Sequence, residues 1–203
     1  MTFISRRDLL KAAVVVPVLR PFQPGDRLES LTQPEAQLLD AVVGRLIPSD
    51  ALGPGAKEAG VTIYIDRALA GALTSSRQAY AGGLAALDRY ARSSRGKAFA
   101  ELPPTDQDSV LIDVETGAAT GFSGSSASFF AMVLNHTHQG MFGDPYYGGN
   151  RNFAGWDLVR YPGVRTMVTP TDQKTLENQQ LKPNHKSAYD YESFTKADPH
   201  HGD

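Results

Sequence analysis

The chain has 203 residues, of which 41% are hydrophobic and 21% charged, and its formal net charge is −2. That length can bury one real core, and near-neutrality without basic clusters after the first 20 positions argues against a nucleic-acid partner. Cysteine is absent, which excludes disulfides, iron–sulfur ligation and Cys-x-x-Cys-His haem attachment within the chain.

Ser5-Arg6-Arg7-Asp8-Leu9-Leu10-Lys11 matches the twin-arginine export pattern, and Ala12 to Leu19 supplies a short apolar stretch behind it. The stretch is too short to span a bilayer as a helix. Arg20-Pro21-Phe22 follows without a clean small-x-small cleavage site. Twin-arginine export carries folded cargo, commonly because a cofactor is inserted first. Yet Gly53-Pro54-Gly55 lacks the third glycine of a dinucleotide fingerprint, Gly96-Lys97 lacks the upstream glycine of a phosphate loop, and no G-x-S-x-G elbow occurs. The cargo that needs folded export is therefore expected to be a partner.

Arg20 to Ser30 reads as a linker with Pro21, Pro24 and Gly25. A helix opens at Thr32-Gln33-Pro34-Glu35, a capping box with proline in the first turn, and carries Leu38, Leu39, Val42, Val43, Leu46 and Ile47 until Pro48. After a Gly/Pro loop from Pro48 to Gly60, a second helix starts at Val61, with Ile65, Leu69 and Ala72 on one face. A third follows a cap at Ser75 or Ser76, presents Tyr80, Leu84, Leu87 and Ala91, and ends at Gly96. Thr105-Asp106-Gln107-Asp108 is expected to cap a fourth helix carrying Val110, Leu111, Val114 and Ala118. A flexible join from Gly117 leads to a fifth, Ser126 to Gly140, lined by Phe129, Phe130, Val133, Leu134 and Met141. No strand signal recurs. The expected fold is all-α, a small helical bundle whose last helix delivers a long loop.

That loop, Gly140 to Gly163, alternates glycines with Phe142, Tyr146, Tyr147, Phe153, Trp156 and Tyr161, and fits neither a helical nor a strand period. Ordering so glycine-rich a segment costs much chain entropy. Aromatic burial is the available compensation, against the chain's own helices or against another protein. His136 and His138 are two apart, which on a helix points them about 200° around the axis from each other, so a packing or capping role is favoured over metal ligation. Asp144 is expected to brace the turn before Pro145, and Asp157 to cap a short helix from Asp157 to Tyr161. Beyond Gly163 the chain is polar, with Tyr189, Tyr191 and Phe194 as isolated aromatics. It reads as a tail, either disordered or ordered along a partner. The divisions are thus 1–30, signal segment and linker; 31–163, helical domain; and 164–203, tail.

The leader, the Leu46-Ile47-Pro48-Ser49-Asp50 turn with Gly53-Pro54-Gly55-Ala56-Lys57-Glu58-Ala59-Gly60-Val61, and above all Gly140-Met141-Phe142-Gly143-Asp144-Pro145-Tyr146-Tyr147-Gly148-Gly149-Asn150 through Gly155-Trp156 and Tyr161-Pro162-Gly163 occur together. In these features the chain resembles the gluconate 2-dehydrogenase subunit 3 family. The resemblance implies a small, non-catalytic subunit with no cofactor of its own, exported through the twin-arginine translocase to the periplasm and associated with the inner membrane through its complex. The implied partners are a large flavoprotein of the glucose-methanol-choline oxidoreductase type, which holds FAD and oxidises a sugar, sugar acid or polyol, and a multihaem c-type cytochrome carrying haem c. The small subunit would serve as export escort and folding partner. Without cysteine, any attachment to the flavoprotein is noncovalent. On this reading the bundle holds the loop in one shape, and Phe142, Asp144, Tyr146, Tyr147, Asn150, Trp156 and Tyr161 are the interface candidates. Two rivals are a stand-alone sugar-acting enzyme using Asp144, His136 or Asp157, and a carbohydrate-binding module stacking its aromatic rings on sugars.

Overall fold

The computed structural model describes residues 22–195 except 24 and 179. The twin-arginine segment and the terminal His200-His201 lie outside the described residues. Among those residues all regular elements are helical, and one isolated bridge joins Asp50 to Gly53 within a turn.

Helix α1, Gln33–Leu46, starts with the capping box read from the sequence. The Thr32 hydroxyl accepts from the Glu35 N–H, and the Glu35 carboxylate accepts from the Thr32 N–H at 2.8 Å. Its apolar stripe, including the buried Leu39, Val42 and Val43, makes it the central helix. It touches α2 (Val61–Ala70), α3 (Arg77–Arg95), α4 (Pro104–Glu115) and α5 (Ser126–Phe142). Around it the fully buried Ile65, Leu69, Tyr80, Leu84, Leu87, Phe99, Val110, Val114 and Met141 fill one core. Each large side chain so buried contributes about 1.5–3 kcal/mol. The helix α3 ends where its spacing predicts, because Gly96 takes a left-handed conformation, φ 77°, that glycine adopts without a Cβ penalty.

Two buried carboxylates and one half-buried ion pair escaped the sequence reading. Asp66 on α2, 1% exposed, accepts the backbone N–H groups of Glu29, Ser30 and Leu31 at 2.7–3.0 Å and so fastens the segment entering α1. Asp40 on α1 takes the Thr62 hydroxyl at 2.9 Å and faces the Lys57 ammonium at 3.3 Å, and burial pushes its carboxyl up. Arg77 binds both oxygens of Glu35 at 3.0 and 2.7 Å.

Several boundaries differ from expectation. The N-cap of α4 is Pro103, and Thr105 already lies inside the helix, since Pro104 at the first helical position has no N–H to satisfy. Ala118 is exposed, and its neighbour Ala119 turns into the core. Helix α2 stops at Ala70, before Ala72. Helix α5 runs through Gly140 to Phe142, because the missing side chain at Gly140 admits Tyr64 and Val61 of α2 at close range. The short helix α6 spans Ala154–Leu158, so Asp157 lies within it rather than at its cap. Two further short helices, α7 (Pro170–Glu177) and α8 (Glu192–Thr195), follow. Among the described residues no helix is long and apolar enough to cross a membrane.

Candidate partner interface

A helix leaves its last carbonyls without intrahelical partners. At the end of α5 the loop supplies them. Gly143 N–H donates to Gln139 O at 2.8 Å, Asn150 N–H to Gly140 O at 2.7 Å, and the Trp156 indole Nε1–H to Phe142 O at 2.8 Å. The loop thus wraps the helix terminus. Gly155 is pressed so close that a Cβ there would sit 1.8 Å from Met141 O.

Asn150 organises this turn. It is fully buried, with φ 44°, a left-handed value that asparagine tolerates better than most residues. Its Nδ2 donates to Gly143 O at 2.7 Å, and its Oδ1 accepts the Gly155 N–H at 2.8 Å. Asn152 and Phe153 continue left-handed at φ 53° and 61°. Arg151 N–H reaches Ala59 O at 3.0 Å, tying the loop to the turn before α2.

Trp156 is 6% exposed and packs against Phe153 and, edge to face, against Tyr161 at a ring separation of 4.7 Å. Asn150 and Trp156 were interface candidates by sequence. Their burial within this chain corrects that reading: they hold the loop and do not face outward. Phe142 is half-buried beside the exposed His138. The outward rings are Tyr146, Tyr147 and Tyr161, at 60%, 50% and 39% exposure.

Asp144 braces the turn, as its place before Pro145 suggests, by accepting the Tyr146 N–H at 2.9 Å. It also accepts the Ser187 hydroxyl at 2.6 Å and the Ala188 N–H at 2.9 Å, which draws the segment after Gly163 back across the loop. Asn184 Nδ2 and the Tyr191 hydroxyl both donate to Val164 O at 2.7 Å. His185 stacks on Phe153 and lies 2.7 Å from Asp157 Oδ1. Tyr189 stacks on Tyr146 with centroids 3.8 Å apart, and its hydroxyl meets that of Tyr147 at 2.7 Å. That bond, with some burial, pushes the Tyr147 phenol up to about 12. A tyrosine triad therefore forms from the loop and the returning arm; the isolated spacing of Tyr189 in the sequence gave no sign of it.

His136 and His138 do not converge. His136 is buried, stacked on Tyr80 with its Nδ1 3.0 Å from the phenol, and burial pushes its pKa down. His138 is exposed. Among the described residues no group of three or more His, Asp or Glu side chains is placed to hold a metal.

The family model for gluconate 2-dehydrogenase subunit 3 matches residues 33–163. The chain belongs to that family. The match runs from α1 to the end of the aromatic loop, so the segment that folds back from 164 lies beyond it. No curated protein and no solved structure matches this subunit 3 chain.

Proposed function

We propose that the chain is a non-catalytic small subunit of a periplasmic FAD-dependent dehydrogenase acting on a sugar, sugar acid or polyol. It serves the flavoprotein subunit as export escort and folding partner, and a c-type cytochrome completes the complex. The observation that carries this reading is the division of labour in the loop. Buried Asn150 and Trp156 fix its shape, while Tyr146, Tyr147 and Tyr161 remain on the outside, where aromatic anchors dominate interface energies. The family description, which names a subunit, supports it from another direction. So does the use of the polar groups that a stand-alone enzyme would need. Both oxygens of Asp144 accept intrachain hydrogen bonds, Asp157 is bound to His185, and His136 is bound to Tyr80.

The paired substitution Tyr146→Ser and Tyr147→Ser tests it. The two rings are exposed and pack on Tyr189 of the returning arm, outside the bundle core, so the isolated chain keeps its helical content and melts within a few degrees of wild type. Loss of an anchor cluster costs about 2 kcal/mol or more, roughly a 30-fold rise in Kd for the flavoprotein. Co-purification equal to wild type would refute the assignment of this face.

A further inference from the structure

The turn after α6 and the returning arm form a half-open cleft of about 890 Å³. Arg160 and Pro162 line one side, and Leu176, Leu181 and Lys182 the other. Its character is basic and apolar together. Asp157 on the wall is engaged by His185 at 2.7 Å, and Arg160 and Lys182 outnumber it, so the lining is positive on balance. Arg165 lies nearby and ties the arm together: it donates to Lys182 O at 3.1 Å and its charge is paired with Asp172 at 3.8 Å, so the cations left for a ligand are Arg160 and Lys182. Arg160 is held at φ 55°, a left-handed strain that an arginine adopts only where its surroundings impose it.

The apolar lining is open to the outside, since Leu176 on the wall is itself 53% exposed. Among the described residues, eight of the eleven exposed large hydrophobic side chains lie between Tyr146 and Leu176, Leu158, Val159, Met167 and Val168 among them. A small-molecule site keeps its apolar lining inside the pocket. An apolar patch that spills onto the rim is the mark of a protein contact.

Building on the subunit reading above, we infer that this cleft receives a protruding segment of the flavoprotein subunit, one that carries a carboxylate flanked by apolar side chains. The carboxylate meets Arg160 and Lys182, where a planar guanidinium suits it best, and the apolar neighbours cover Leu176 and Leu181. The second wall, from Leu176 to Lys182, lies beyond the family match that ends at 163.

The test compares wild-type chain with Arg160→Gly, Lys182→Glu and the double variant, each full-length and titrated with the purified flavoprotein subunit. Glycine suits the positive φ at position 160, so this variant deletes the charge without adding strain. All variants are expected to melt with the wild type. Kd should rise about tenfold for each single change and further for the double variant, with the steep salt dependence of the wild type flattened. Binding unchanged in all three variants overturns the proposal and leaves the subunit reading standing; no binding by the wild-type chain itself defeats both. Two other results also overturn it. One is self-association of the isolated wild-type chain that the double variant abolishes, which makes the occupant a second copy. The other is a melting shift by gluconate alone that the double variant abolishes, which makes the cleft a small-molecule site.

Discussion

Asn150 is the residue on which the shape of the loop turns, and its cost can be worked out bond by bond. Truncation to alanine leaves the half-buried Gly143 C=O and the buried Gly155 N–H without their partners at 2.7 and 2.8 Å. Each orphaned buried group costs about 1–3 kcal/mol. Alanine must also hold φ 44°, where a Cβ without a compensating side-chain bond adds about 1 kcal/mol. The total is about 3–7 kcal/mol, which for a domain of this size lowers Tm by roughly 10–20 °C. Glycine at the same position loses the hydrogen bonds but not the backbone fit, so Asn150→Gly should be milder than Asn150→Ala by about 1 kcal/mol. Asn150→Asp keeps the acceptor for Gly155 and sets a carboxylate against the Gly143 carbonyl, so it should fall near alanine. Thermal melts by circular dichroism rank the three. If alanine and glycine are indistinguishable and each costs under about 1 kcal/mol, the loop is held by something other than this side chain.

Adjacent glycines in α3 should respond with opposite signs. A Cβ at Gly82 meets nothing, so Gly82→Ala should stabilise by about 0.5–1 kcal/mol, whereas one at Gly83 would lie 2.2 Å from the Phe129 ring, and Gly83→Ala should destabilise by about 1–3 kcal/mol. Urea midpoints read both. The His136 imidazole, held by burial below its ordinary 6.5, binds a proton less readily folded than unfolded. Its contribution is complete above 6.5 and is lost as pH falls from there through the lowered folded value. The difference in Tm between wild type and His136→Gln should therefore shrink on acidification through that window; a constant difference would show that His136 does not titrate on unfolding.

The five principal helices were legible because each announces itself locally. Leu39, Val42 and Val43 recur at helical spacing, Thr32 and Glu35 form their box within four residues, and Gly96 ends α3. What could not be read depends on distant groups. Asp66 makes sense only beside backbone amides 35–37 positions earlier. Asn150 and Trp156 looked like surface residues because their partners, the terminal carbonyls of α5, are unmet only once that helix has formed and ended. The aromatic loop carried enough signal to be singled out, yet not enough to tell the rings that build it from those it displays. The sorting came from burial. Trp156 turns inward because its indole N–H has Phe142 O to bind, while the tyrosine hydroxyls at 146 and 147 stay on the outer face.

If the chain is an escort, a flavoprotein depends on it. The direct measurement is the FAD-dependent dehydrogenase activity of the periplasmic fraction when the flavoprotein subunit is expressed with and without the chain. Activity that appears only with the chain, and is lost when Arg6 and Arg7 are both changed to lysine, is the predicted result. Equal periplasmic activity in its absence would contradict it.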